Sequence, residues 1–219
     1  MDAAQQRKGM VARLRDRGYL TSERAIEAML KVPRHLFMPQ DIRDQAYEDR
    51  PQYIGCGQTI SAPHMVAIMV EALEVGPAMR VLEVGAGSGY HAAVLAEMVR
   101  PGGAVFAVER VPELVRGAKM NLASAGYDDV TVLLSDGTMG LKQEAPFDRI
   151  SVAAAAPSVP RPLMDQLAEG GILLVPVGGR GHQQLIRMER KGGQFSSTDL
   201  GSVVFVPLIG EHGHPDHQG

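Results

Sequence analysis

Apolar residues recur three and four positions apart over residues 3–17 and again over 22–31, which predicts two amphipathic helices. Gly18-Tyr19-Leu20 separates them, and Pro33 ends the second. From residue 38 to residue 60 neither the helical nor the strand period holds, and Pro51, Gly55 and Gly57 give the stretch the texture of a long loop. Such a loop is either a solvated connector or a functional cover, and the pattern alone does not choose between them. Ser61-Ala62-Pro63 then predicts a helix start, with Ser61 as cap and proline in the first turn. Met65, Ile68, Met69, Ala72 and Leu73 follow on one helical face and are expected in the core rather than against a ligand. Gly76-Pro77 stops that helix.

Beyond it strand and helix patterns alternate. Val81-Leu82-Glu83-Val84 reads as a buried strand running into Gly85-Ala86-Gly87-Ser88-Gly89, a turn with glycine at every second position. The almost wholly apolar run 91–99 predicts a helix covered on most sides. Further strands are expected over 104–108, 130–134, 147–152, 172–175, 184–190 and 202–206, with helices from Pro112 and over 163–167. Strands spaced by helices require parallel pairing with right-handed crossovers, whereas the last two strands, joined through Gly192-Gly193, form an antiparallel hairpin. The expected fold class is α/β: a doubly wound, mostly parallel, seven-stranded Rossmann-like sheet with a C-terminal antiparallel hairpin and extra N-terminal helices.

A chain of 219 residues with 45% hydrophobic content can bury one good core, so a single domain is expected. Within it, residues 1–61 supply helices and a covering loop, 62–210 the sheet core, and 211–219 a tail expected to be disordered rather than metal-binding despite its three histidines. Net charge is −3, from 22 Lys plus Arg against 25 Asp plus Glu, and the basic residues form no stripe, which argues against nucleic acid or an anionic membrane as partner. Cys56 is the one cysteine, which excludes an internal disulfide and any multi-thiolate metal site. The N-terminus has no apolar core of a signal peptide and no run approaches membrane-spanning length, so the cytoplasm is the expected compartment.

The chemistry concentrates at the glycine turn. A strand, a glycine turn and a helix N-terminus together present backbone N–H groups to a polar ligand. The third glycine comes one residue earlier than in the dinucleotide fingerprint, and alone the turn is as compatible with a plain strand-to-helix connection. Ligands of doubly wound sheets sit at the carboxyl ends of the strands, and three acids lie there. Glu109 ends the second strand twenty residues after Gly89, where a carboxylate can accept two ribose hydroxyls. Asp136 follows the third strand and can accept from an adenine amino group. Glu83, inside the first strand, can hold the turn or a ligand ammonium.

The chain resembles the protein-L-isoaspartate O-methyltransferase family. The resemblance runs through Val32-Pro33-Arg34-His35-Leu36-Phe37, Ala46-Tyr47-Glu48-Asp49, Gly57-Gln58-Thr59-Ile60-Ser61-Ala62-Pro63-His64-Met65, the glycine turn, Asp136-Gly137-Thr138, Ala154-Ala155-Ala156-Pro157 and Val206-Pro207-Leu208. It implies S-adenosyl-L-methionine as cofactor, isoaspartyl-containing proteins and peptides as substrates, no metal, and a monomer. By that resemblance Ser61 is the catalytic serine. Thr59, Ile60, His64, Glu83, Gly85, Ala86, Gly87, Ser88, Glu109, Arg110, Asp136 and Gly137 hold the cofactor. Ser61, Ala62, Ala155, Ala156, Pro157, Val206, Pro207 and Leu208 meet the substrate. Cys56 and Ala153 depart from the family pattern, in which an aromatic residue and a glycine are common. Two other readings share these features: a methyltransferase of the same fold with a different acceptor, and a binding module that keeps the pocket without turnover. Gln58-Thr59-Ile60-Ser61 argues against both, because a repurposed pocket has no reason to keep an acceptor-side serine.

Overall fold

The computed structural model describes residues 2–179 and 181–216. The chain opens with α1 (Ala3–Asp16) and α2 (Glu23–Lys31), whose caps are the side chains of Asp2 and Ser22, accepting from Gln5 N and Ala25 N respectively. The stretch read as a loop is ordered in pieces. It holds two 3₁₀ turns, Arg34–Phe37 and Gln40–Gln45, and then an antiparallel hairpin of β1 (Gln52–Gly55) and β2 (Gln58–Ile60). Strands of four and three residues are too short to show a period of two, and for that reason they were invisible in the pattern.

Next come α3 (Pro63–Leu73), β3 (Arg80–Val84), α4 (Tyr90–Val99), β4 (Ala104–Glu109), α5 (Pro112–Ala125), β5 (Thr131–Leu134), β6 (Phe147–Val152), α6 (Arg161–Asp165), β7 (Leu167–Gly179), β8 (His182–Lys191) and β9 (Gln194–Val203). Seven strands form one sheet in the order β5-β4-β3-β6-β7-β8-β9. Pairings from β5 to β7 are parallel, and β7-β8 and β8-β9 are antiparallel, as the alternation of elements requires. The chain builds outward from β3 to β5 and then returns to β3's other side as β6. The switch point therefore lies between the carboxyl ends of β3 and β6.

The two-residue period of β3 divides the interior. Val81 joins a large core with α1, α2, α3, α4 and α5, while Leu82 and Val84 join a second core with Phe147, Ile150, Val152 and Leu163 of α6. In α4 every residue except His91 and Glu97 is buried, in keeping with its apolar run.

Four expectations need correction. Ser61 is not the cap of α3: the cap position is Ala62, with no side-chain bond, and the free amide of His64 is taken by Asp49 Oδ1 at 2.9 Å from the preceding segment. The last strand is β9, not residues 202–206, because its exposed edge carries Ser196, Ser197, Thr198 and Asp199 and shows no apolar signal. Strand β7 begins at Leu167, five residues earlier than read, with Gly170 and Gly171 at an irregularity in its pairing with β6; α6 accordingly ends at Asp165. The tail is held in place as far as residue 216: Glu211 N donates to Asp136 Oδ2 at 2.8 Å and Arg110 pairs with Asp216. Residues 217–219, with the tail's third histidine, lie outside the described residues.

Candidate active site

The glycine turn makes the site. Gly85, Gly87 and Gly89 all have positive φ, at 92°, 53° and 87°, a region in which a Cβ costs free energy. At Gly89 a Cβ would also lie 3.1 Å from Leu122 Cγ of α5. This backbone lets Gly85 N and Ala86 N both donate to Val108 O at the end of β4, at 2.8 and 3.1 Å. Gly87 N donates to Glu109 Oε2 at 3.1 Å, and the other oxygen of Glu109 accepts from the amides of Arg110 and Val111. Glu109 is therefore fixed at the rim by three backbone donors, next to the turn. No side chain caps α4, whose first turn faces the same space.

A cavity opens at the switch point, where open α/β sheets bind their ligands. Its floor is the glycine turn with Ala153 and Ala154 after β6, one side is Val108 to Val111, and the other is Val206 to Ile209. The roof is β2 and the start of α3: Gln58, Thr59, Ile60, Ser61, Met65 and Met69. The stretch without periodicity is thus a cover over the cavity. The two methionines expected only in the core form part of its wall as well, since Met65 and Met69 stand one helical turn apart.

Of the residues named from the sequence, Thr59, Ile60, Ser61, Glu83, Gly85, Ala86, Gly87, Ser88, Glu109, Arg110, Gly137, Val206, Pro207 and Leu208 line this cavity. His64 does not. Its ring is held by Asp49, Nδ1 to Oδ1 at 2.8 Å, and packs on Tyr19. Asp136 borders an adjoining hollow with Arg110 and His214, and its oxygens accept from Thr138 and from Glu211 N. Burial pushes the Asp136 carboxyl up, but those hydrogen bonds outweigh it and hold it below the ordinary carboxylate value. Ala62, Ala155, Ala156 and Pro157 also lie outside the lining. Ala155 is stitched to the Val206–Leu208 side of the cavity instead, donating to Val206 O and accepting from Leu208 N, both at 2.8 Å.

Tyr90 and His91 are among the lining residues not named as site residues from the sequence. They follow the last glycine, where a helix start is all that the sequence shows. Glu83 shares Val81's face of β3, the face covered by α4, and so meets His91: Oε1 lies 3.1 Å from Nδ1. Burial is the main reason that the Glu83 carboxyl is pushed up, with Glu109 adding to it and His91 working against it.

Parallel strands, a glycine turn at the switch point and an acid closing the second strand define the Rossmann-like methyltransferase class. The same fold recurs in the precorrin-6y C5,15-methyltransferase of Geobacter metallireducens, with a TM-score of 0.52 and 17% identity over 69% of this chain and 90% of that one. Within that class the match is far closer to one family. The model of the protein-L-isoaspartate(D-aspartate) O-methyltransferase (PCMT) family matches residues 5–213, and the chain belongs to that family. It is 56% identical to the protein-L-isoaspartate O-methyltransferase of Methanopyrus kandleri, over 94% of this chain and 92% of the relative. With the enzyme of that name from Methanothermobacter thermautotrophicus it shares 50% identity over 97% and 99%. Among solved structures it resembles the Plasmodium falciparum enzyme in complex with S-adenosyl-L-homocysteine, with a TM-score of 0.84 and 30% identity over 93% of this chain and 98% of that one.

Proposed function

We infer that this chain transfers the methyl group of S-adenosyl-L-methionine to the free α-carboxyl of L-isoaspartyl residues in damaged proteins and peptides, which begins repair through a succinimide. One observation carries the reading: a glycine turn backed by Glu109 and an acceptor-side serine, Ser61, line the same cavity in a chain of this family. The residues present suit the cofactor. The uncapped first turn of α4 and the turn amides offer donors, Glu109 offers carboxylate oxygens beside them, and Met65 and Met69 offer apolar, polarisable surface.

S-adenosyl-L-methionine, when bound, supplies an electrophilic methyl group on a positively charged sulfur. The protein has to position a carboxylate, not to deprotonate it, since a carboxyl of ordinary pKa, about 3.5, is ionised at neutral pH. A fixed cation on that carboxylate would resist the loss of its charge as the methyl moves. The Ser61 hydroxyl is a neutral donor and holds the oxygen with less penalty. Thr59 to Ser61, on the roof, exclude water and align the acceptor. Cys56, exposed at the tip of the β1–β2 hairpin, takes no part, because no thiolate nucleophile is required.

The net charge of −3 supports protein and peptide substrates over nucleic acid or membrane. No helix among the described residues is long and apolar enough to cross a membrane. The test is to incubate an isoaspartyl peptide with the protein and the cofactor and to separate the products over time. Methyl ester, then succinimide, then a share of normal aspartyl peptide should appear in that order. Methylation at some other group of the peptide would refute the reading.

A further inference from the structure

Gln183 of β8 is 2% exposed, and its side-chain amide is fully engaged with backbone. Its Oε1 accepts from Phe205 N at 2.7 Å, while Nε2 donates to Gly179 O at 2.9 Å and to Phe205 O at 3.4 Å. These partners fix the orientation of the amide, since the flipped group would set oxygen against the Gly179 carbonyl and N–H against the Phe205 N–H.

The place of Phe205 in the chain shows what the amide does. The β8–β9 ladder ends with Gln183 opposite Val203, and the next residue, Val204, is 75% exposed as the chain leaves the sheet edge. A segment that leaves a ladder loses the partners of its backbone N–H and C=O groups. A primary amide carries a carbonyl oxygen and N–H groups, as a peptide unit does, so the Gln183 side chain continues the ladder for one step after the backbone has departed. The opposite edge of the segment is held by Ala155, which donates to Val206 O and accepts from Leu208 N. Phe205 to Ile209, set between these two supports, form one wall of the cavity, whereas Gln183 itself stands outside the lining.

We propose that Gln183 is a positioning residue for the acceptor: by bridging β8 to Phe205 it sets Val206 to Leu208 against the peptide that carries the reacting carboxylate. This rests on the function given above and on Val206 to Leu208 facing the substrate. The cofactor side is anchored elsewhere, because the glycine turn is bonded to Val108 O and Glu109 at the end of β4. Loss of the bridge therefore acts on the acceptor and spares the cofactor.

The experiment uses Gln183→Met, which removes the donors and the acceptor at nearly the same length. Measured are kcat and KM for an isoaspartyl peptide at saturating cofactor, and the Kd of S-adenosyl-L-homocysteine by calorimetry. The peptide KM should rise roughly tenfold or more with a smaller change in kcat, while the Kd stays within about twofold. Met188→Ala, which trims a buried side chain of the same strand, should lower Tm and leave the peptide KM unaltered. An unchanged peptide KM in folded Gln183→Met, an equal rise in Met188→Ala, or a parallel loss of cofactor affinity would overturn the proposal. Amide exchange of the wild type tests the bridge without any variant: the Phe205 N–H should exchange slowly although it lies beyond the end of β9. Exchange at the rate of an unstructured amide would overturn the proposal even if Gln183→Met did not fold. Failure of the wild type to methylate the isoaspartyl peptide would instead overturn the reading of function, and the proposal with it.

Discussion

Arg34 holds Ser61 in place through the backbone: its Nη2 donates to the Ser61 carbonyl at 2.8 Å. Its Nε donates to Ala46 O, also at 2.8 Å, and the guanidinium lies 4.8 Å from the centre of the Tyr90 ring at the start of α4. Arg34 is fully buried, and burial lowers its pKa against the pull of Tyr90, Tyr47 and Asp49. One planar cation thus joins the cover, the serine and the glycine-turn helix. Arg34→Met should leave two carbonyls unsatisfied and cost about 2–4 kcal/mol. Arg34→Lys should not rescue it, because a single ammonium cannot reproduce the fork. Urea unfolding of both variants checks this, and stability equal to the wild type would show the joint to be dispensable.

Glu109→Ala is expected to weaken cofactor binding by roughly 1–3 kcal/mol, about 5- to 150-fold, since it removes the carboxylate and frees the amides of Gly87, Arg110 and Val111. Calorimetry with S-adenosyl-L-homocysteine reads the change. An unaltered Kd in a folded variant would take Glu109 out of the site.

How much of this was legible follows from particular residues. The central strands and the glycine turn could be read because each element satisfies one rule at a time: Val81 to Val84 is buried on both faces, and Gly85, Gly87 and Gly89 take φ values that other residues avoid. The internal order of the cover could not be read, because it comes from distant partners. Arg34 on Ser61, Asp49 on His64, and Arg13 on Tyr47 O are contacts across 12 or more residues with no local periodicity. His91 was passed over for a different reason: a histidine in the first turn of a buried helix acquires meaning only when β3 brings Glu83 beneath it.

Asp49 gives the stability of the cover a pH dependence. Burial pushes its carboxyl up, but hydrogen bonds from the His64 amide and ring, the His64 charge and Arg17 prevail and hold it below its ordinary value. A carboxyl depressed on folding contributes stability that is present above its unfolded pKa, about 3.9, and is lost as pH falls through the lower folded value. Melting temperatures measured from neutral pH downward should therefore fall below about pH 4, and Asp49→Asn should start lower and fall less steeply. Parallel curves for the two proteins would assign the acid limb to other groups.

Cys56→Ser is expected to keep most of the turnover and an unchanged melting curve. The residue is exposed, at φ 52° in the hairpin turn, and touches no reacting group in the scheme above. Complete loss of activity in a folded Cys56→Ser protein would require a different mechanism.

Ser61 decides whether acceptor alignment is the source of selectivity. An isoaspartyl residue carries its chain through the β-carboxyl and presents an α-carboxylate on a short branch, whereas a normal aspartate holds its carboxylate one methylene further out. Misplacement by about 1 Å can cost on the order of 100-fold. The most direct measurement is kcat and KM for methyl transfer to an isoaspartyl peptide and to its aspartyl twin, by wild type and Ser61→Ala at saturating cofactor. The wild type should methylate the isoaspartyl peptide and leave the twin essentially untouched, and Ser61→Ala should lower kcat on the first while cofactor affinity holds. Equal methylation of the two peptides by the wild type would contradict the account.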